Sequence, residues 1–394
     1  VSLKARLSTM FFLQFFIWGT WVITLGTYML QTLDFSGRQV GMVYATNAIA
    51  ATVAPVATGL LADKLFPANR LMVVLHALGG LWLIGAFYST DFAWFYGFML
   101  AFNLTYLPTF NLCTALSFHH LDDPKQSFPA IRVWGTIAWI VTSIMLSYFA
   151  MEDQATPLLI GGVGSFIMAI YNLSLPHTPP QPGLNLQTLR GPEFKALLRD
   201  RSLLVLIVAT MLICFSSTFY YSFINPFLNE IGVANAAAKM SVGQVFEIVV
   251  VLAMPWFFRK LSLRTILFWG LATWGLRYFA FTFGRPGDWT MGLIYLGVAV
   301  QGFAFTWVQL AAQLYVDSRV PVYLRATAQG VVTFANYGIG AFAGSILAGD
   351  IVARYATAGG SHDWSTIFLY PAISGCLVAL GFWYFFPKKQ ATTS

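Results

Sequence analysis

Charge is what this sequence lacks. Of 394 residues only 9% are charged, with Lys+Arg 22 and Asp+Glu 15. A water-soluble chain carries about 25%, and no soluble fold hides such a shortfall. With 58% hydrophobic residues and a mean hydropathy of +0.68, the composition excludes a disordered chain and an ordinary cytosolic enzyme. It indicates an integral membrane protein. Cysteine is scarce too: Cys113, Cys214 and Cys376 lie far apart in apolar runs. They fit neither a disulfide framework nor a zinc site and read as small packing residues. There is no phosphate loop, no nucleophile elbow and no His/Asp or metal constellation inside an apolar run. The reading is therefore neither an ATP-driven pump nor an enzyme, with no cofactor and no metal expected. The net charge of +7 falls in short loops between hydrophobic runs, as in the cytoplasmic loops of membrane proteins, so nucleic acid is not expected as a partner.

What the sequence has is long apolar runs. A helix crosses about 30 Å of hydrocarbon with roughly 20 residues. Twelve runs qualify: 8–30, 39–62, 69–89, 92–118, 128–149 and 156–174, then 202–229, 239–258, 263–283, 288–316, 325–348 and 364–386. They are apolar all round, which excludes the alternating strands of a barrel. The first holds Trp18 and Trp21 with no small-residue cleavage site after it, so it reads as a span rather than a signal peptide. The polar, proline-rich stretch 176–201 reads as a cytoplasmic linker between an N-terminal six-helix half (1–175) and a C-terminal six-helix half (202–394) with a short cytoplasmic tail. Sixteen basic residues fall on one side of the spans and four (Arg38, Lys239, Arg285, Arg354) on the other. That bias puts both termini in the cytoplasm.

Ile131-Arg132-Val133-Trp134-Gly135-Thr136 and Leu324-Arg325-Ala326-Thr327-Ala328-Gln329-Gly330 open spans five and eleven alike, a faint repeat of the kind transporters use. Gly59-Leu60-Leu61-Ala62-Asp63-Lys64 follows span two and resembles the Gly-x-x-x-Asp-[Arg/Lys] motif of the major facilitator superfamily. That resemblance implies an all-α integral membrane fold of twelve transmembrane helices in two six-helix halves, with Gly59, Asp63 and Lys64 as a structural loop motif.

Polar residues inside spans are costly and mark function. Glu247 is the one acid not placed at a loop or helix end, and Gln244 shares its helix face. The pair reads as substrate-binding or proton-carrying, or as a structural pairing with a neighbouring helix. Arg132, Thr136 and Trp139 form one stripe on span five, although Arg132 could equally mark a helix end, as Arg325 does. Further stripes are Gln14, Trp18 and Trp21; Asn103, Tyr106 and Phe110; Thr218, Tyr221 and Asn225; and Gln301, Phe305 and Gln309. Amides alternating with aromatics suit a flat, neutral, polar solute. Arg277 in span nine is expected to snorkel toward the outer surface. Gly338-x-Gly340-x-x-x-Gly344 reads as close helix packing, and His119-His120 as a surface pair without a ligand set.

Leu13-Gln14-Phe15-Phe16-Ile17-Trp18-Gly19-Thr20-Trp21, Tyr106-Leu107-Pro108-Thr109, the two Arg segments above and Leu175-Pro176-His177 together resemble bacterial nucleoside:proton symporters along nearly the full length. The resemblance implies a nucleoside site including Arg132, Thr136, Trp139, Gln244, Glu247 and Phe305. Thr218 and Tyr221 stand where enteric members have Gln and Asn, and Gln301 stands where they have Tyr. Thr306 replaces an Asp linked to proton coupling, which leaves Glu247 as the candidate proton carrier. The expected function is a secondary active transporter importing nucleosides by alternating access with protons, as a monomer in the bacterial inner membrane. The alternatives are a carrier of a sugar or other small neutral metabolite, and a membrane sensor that binds without transport.

Overall fold

An apolar run in a bilayer satisfies its backbone only as a helix or a closed barrel, and all the long runs here become helices. The computed structural model describes residues 2–61, 66–179, 200–321, 324–357 and 359–387. In chain order the helices are α1 (Leu3–Thr32), α2 (Gly37–Leu61), α3 (Ala68–Phe87), α4 (Phe92–His120), α5 (Pro124–Tyr148) and α6 (Thr156–Ser174). They continue with α7 (Arg201–Glu230), α8 (Ala236–Lys260), α9 (Leu263–Phe283), α10 (Met291–Arg319), α11 (from Arg325 to Arg354) and α12 (Trp364–Phe385). Nine of them, among the described residues, are long and apolar enough to cross a membrane by length and composition. Side-chain caps fix several starts: Ser2, Asp91, Asp123, Ser262 and Asp363 each accept a first-turn backbone N–H.

Three helices depart from the regular α form. α1 is interrupted at Ile23–Thr24 and resumes as Leu25–Thr27 and a π-helical turn, Tyr28–Thr32. The Tyr44 hydroxyl bridges this break, donating to the Val22 carbonyl at 2.8 Å and accepting from the Gly26 N–H at 3.1 Å. Backbone groups freed inside the bilayer are thus paired. α10 is broken at Val300, and α11 contains a π-helical stretch, Phe334–Gly340.

The chain forms two compact units. The first is Val1–Leu184 with Tyr221–Ser241; the second is Asn185–Tyr220 with Val242–Ser394. The C-terminal part of α7 and the start of α8 therefore pack with the first unit, although they follow the linker in sequence. Within the first unit, Gly19 lets α1 press on α5, because a Cβ there would lie 2.3 Å from Thr142 Oγ1. Within the second, Gly340 and Gly344 let α11 meet α7, where a Cβ would stand 2.5 Å from the Met211 carbonyl and 2.8 Å from Thr218 Oγ1. Small residues at such contacts replace the hydrophobic driving force that lipid removes. Of the loop motif, Gly59 lies in α2, while Asp63 and Lys64 lie outside the described residues, as does 180–199 of the linker.

Candidate functional site

In the first unit, α5 carries Arg132, Thr136 and Trp139, all half-buried. The Arg132 guanidinium lies 4.1 Å above the Phe15 ring. Gly135 makes room for that fold-back, since a Cβ there would stand 2.8 Å from Arg132 Nη1 and 2.6 Å from Phe15. Trp139 meets Trp18 edge-on at 5.4 Å, and Phe110 joins both Trp18 (5.0 Å) and Phe15 (5.1 Å). The result is an aromatic wall with a cation at one end, where α1, α4 and α5 meet. The indole N–H groups of Trp18 and Trp139 meet no acceptor among the described residues.

Other members of the sequence stripes are absorbed into packing. Gln14 donates to Thr109 Oγ1 at 2.7 Å, and the Tyr106 hydroxyl donates to the Gln14 carbonyl. Asn103 donates to Thr46 Oγ1 at 2.8 Å, and Trp21 is buried against Phe102. These side chains join helices to one another.

In the second unit, Gln244 and Glu247 are half-buried one turn apart on α8. Behind them α8 and α10 touch backbone to backbone. A Cβ on Gly302 would sit 2.5 Å from the Glu247 nitrogen, and one on Gly243 would sit 2.9 Å from Gln301 Cβ. Gln301 is only 1% exposed and accepts a hydrogen bond at Oε1 from Arg277 Nη1. Arg277 does not snorkel outward. It is 2% exposed and turned inward, its guanidinium 3.9 Å from the Tyr220 ring centroid and 5.3 Å from that of Trp274. Cation–π contact offers a desolvated guanidinium what lipid cannot. Phe305 is half-buried on α10, and the neighbouring Thr306 hydroxyl is buried without a partner. Thr218 is 7% exposed and donates to the Cys214 carbonyl at 2.7 Å. Tyr221, half-buried, lies at the start of the α7 segment that belongs to the first unit.

The chain matches the nucleoside H+ symporter family over residues 1–391. It is 33% identical over 401 residues to the putative nucleoside transporter YegT of Escherichia coli (strain K12), covering 98% of this chain and 94% of the relative. It is 31% identical over 407 residues to the nucleoside permease NupG of the same organism, covering 99% and 97%. A crystal structure of the nucleoside transporter NupG superposes with a TM-score of 0.91 at 30% identity, covering 99% of this chain and 100% of that one. The POT family transporter PepTSo, at 13% identity, a TM-score of 0.76 and 97% coverage of both chains, shares the fold. The chain belongs to the nucleoside H+ symporter family: it is a multi-pass membrane protein and a nucleoside transporter, not an enzyme.

Proposed function

We propose that the chain imports nucleosides by alternating access, one chain acting alone in the bacterial inner membrane with both termini cytoplasmic, and that protons drive it. Gln244 and Glu247 hold the ribose hydroxyls; Trp139 and Phe305 stack on the base; Arg132 and Thr136 add donors at one edge. Gln301, Thr218 and Tyr221 complete the set, Gln301 and Thr218 as supports in the state described here. The observation that carries this reading is the Gln244–Glu247 pair, two half-buried hydrogen-bonding groups on one face of α8 seated against Gly302. A carboxylate accepts two hydroxyl bonds at once, which suits a vicinal diol. Thr306 cannot carry a proton at ordinary pH, so Glu247 is the protonatable group of this site.

Uptake of labelled uridine into proteoliposomes, with nucleosides, bases and sugars as competitors, tests the substrate class. Bonds to a charged acceptor contribute about 1.5–3 kcal/mol, so Glu247→Gln is expected to weaken nucleoside binding roughly ten- to a hundredfold. It should also remove the dependence on an inward proton gradient while counterflow persists. Competition by sugars alone, or unchanged uridine affinity in folded Glu247→Gln protein, would refute the assignment.

A further inference from the structure

An acid outside every span is buried more deeply than Glu247. Glu152, in the turn between α5 and α6, is 6% exposed. The chain leaves α5 through Ala150 in a left-handed conformation (φ 48°), an uncommon one for a residue with a side chain. That turn folds Glu152 back beneath the helix end. There Oε1 accepts from the Ser147 hydroxyl at 2.5 Å and the Ala237 N–H at 3.0 Å. Oε2 accepts from Asn225 Nδ2 at 2.9 Å, Asn229 Nδ2 at 3.0 Å and, shared, the Ala237 N–H at 3.1 Å. Ser147 Oγ in turn accepts the Ala238 N–H at 2.8 Å, so the first turn of α8 is capped by a side chain from a distant part of the sequence. Asn225 also accepts from Thr27 Oγ1 at 2.5 Å, just past the break in α1. One step further along α7, Gly26 rests on the Ser222 carbonyl, where a Cβ would stand at 2.3 Å.

We infer that Glu152 is the positioning residue of a gate. Its carboxylate clamps the segment Tyr221–Ser241 to the first unit, and releasing this clamp is a required step of the transport cycle. Three features carry the inference. The clamped segment is the one stretch beyond the linker that packs with the first unit. Its partner is acceptor-only: among the described residues the Asn225 and Asn229 amides and the Ala237 N–H all donate to Glu152, and only the Ser147 hydroxyl, which donates too, could accept. An amide of the same shape therefore keeps one acceptor oxygen for three N–H donors and must turn the Ser147 hydroxyl around. And every bond is to a neutral N–H or O–H, each of which water can replace once the turn is exposed. The clamp is therefore tight when closed and releasable when wetted.

The inference rests on alternating access, but its test uses no solute. In protein lacking the native thiols Cys113, Cys214 and Cys376, Ser222→Cys places a reporter at a position 2% exposed behind the clamp. Labelling by a bulky maleimide in detergent then reports how often the gate opens. Adding Glu152→Gln is expected to speed labelling by roughly tenfold or more, the equivalent of one lost bond to a charged acceptor. Asn229→Asp, which sets a second carboxylate against the first, should do the same and serves if Glu152→Gln fails to fold. Faster labelling in a protein with a cooperative unfolding transition supports the gate. Labelling no faster than the parent, in either folded variant, overturns it. Should uridine fail as a substrate while labelling responds, the nucleoside reading falls and the gate stands.

Discussion

Glu152 and Arg277 are both buried charges, and they are held in opposite ways. Glu152 has its acceptors filled by hydroxyl, amide and backbone donors, and it lies in a turn outside the spans. Arg277 lies within α9 and gives one N–H to Gln301, while its Nε and Nη2 find no acceptor among the described residues and its charge rests on aromatic faces. The first can trade each protein donor for a water when its surroundings open. The second is 2% exposed among aromatic rings, so opening its cage would cost it these contacts. A buried charge at a turn is suited to a moving part and one in mid-span to a fixed part.

The largest expected break of this comparison is Arg277→Ala, which empties the cage and removes a donor from Gln301 Oε1. A loss of about 3 kcal/mol or more of stability is expected, read as a lowered unfolding temperature in detergent. Arg277→Lys should recover little, because an ammonium neither stacks nor forks. Glu152→Gln should move the same unfolding temperature much less, since its donors gain water instead. A larger loss for Glu152→Gln than for Arg277→Ala would reverse the distinction. Sharpening it further, Gln301→Leu combined with Arg277→Ala in a double-mutant cycle should give a coupling of about 1 kcal/mol. Additive effects would show that the aromatic faces alone hold the guanidinium.

The smallest effect belongs to a third kind of charge, a half-buried one at a helix N-cap. Asp363 caps α12, accepting from the Thr366 N–H at 3.2 Å and the Ser365 hydroxyl at 2.8 Å. The Thr366 contact, followed by that of Ser365, holds its carboxyl below the ordinary carboxylate range. A depressed carboxylate stabilises above its unfolded pKa, and that contribution is lost as pH falls through the folded one. Asp363→Ala is expected to cost about 0.5–1 kcal/mol at neutral pH. The difference from the parent should vanish in acid, as unfolding temperatures at several pH values would show.

Span positions were legible because run length in a bilayer is nearly a length measurement. The expected spans 156–174 and 263–283 coincide with α6 and α9. The break in α1 was not legible, since the groups that meet it, Tyr44 Oη at Val22 and Gly26 and the Ser222 carbonyl at Gly26, come from other helices. Stripes of amides and aromatics did not separate candidate ligand groups from joints between helices. Gln14, Asn103 and Tyr106 stand in such stripes, and they bond neighbouring helices. Arg277 was expected outside because an isolated arginine usually reaches for water. The signal to the contrary was local: Trp274 and Phe281 stand three before and four after it, on its own helix face. Glu152 looked like any loop acid, and only the pair Asn225 and Asn229, one turn apart on α7, hinted at a distant acceptor.

The glycines at 243 and 302 carry one more consequence. With Gly302 against the Glu247 backbone and Gly243 against the Val298 carbonyl and Gln301 Cβ, α8 and α10 leave no room for an added carbon at either point. They form a ruler. With the binding roles proposed for Gln244, Glu247 and Phe305, this contact would set their spacing, and a solute would be measured along this edge by length as well as by chemistry. Gly302→Ala, whose Cβ would stand 2.5 Å from the Glu247 nitrogen, would force the two helices apart and change that spacing for every solute at once.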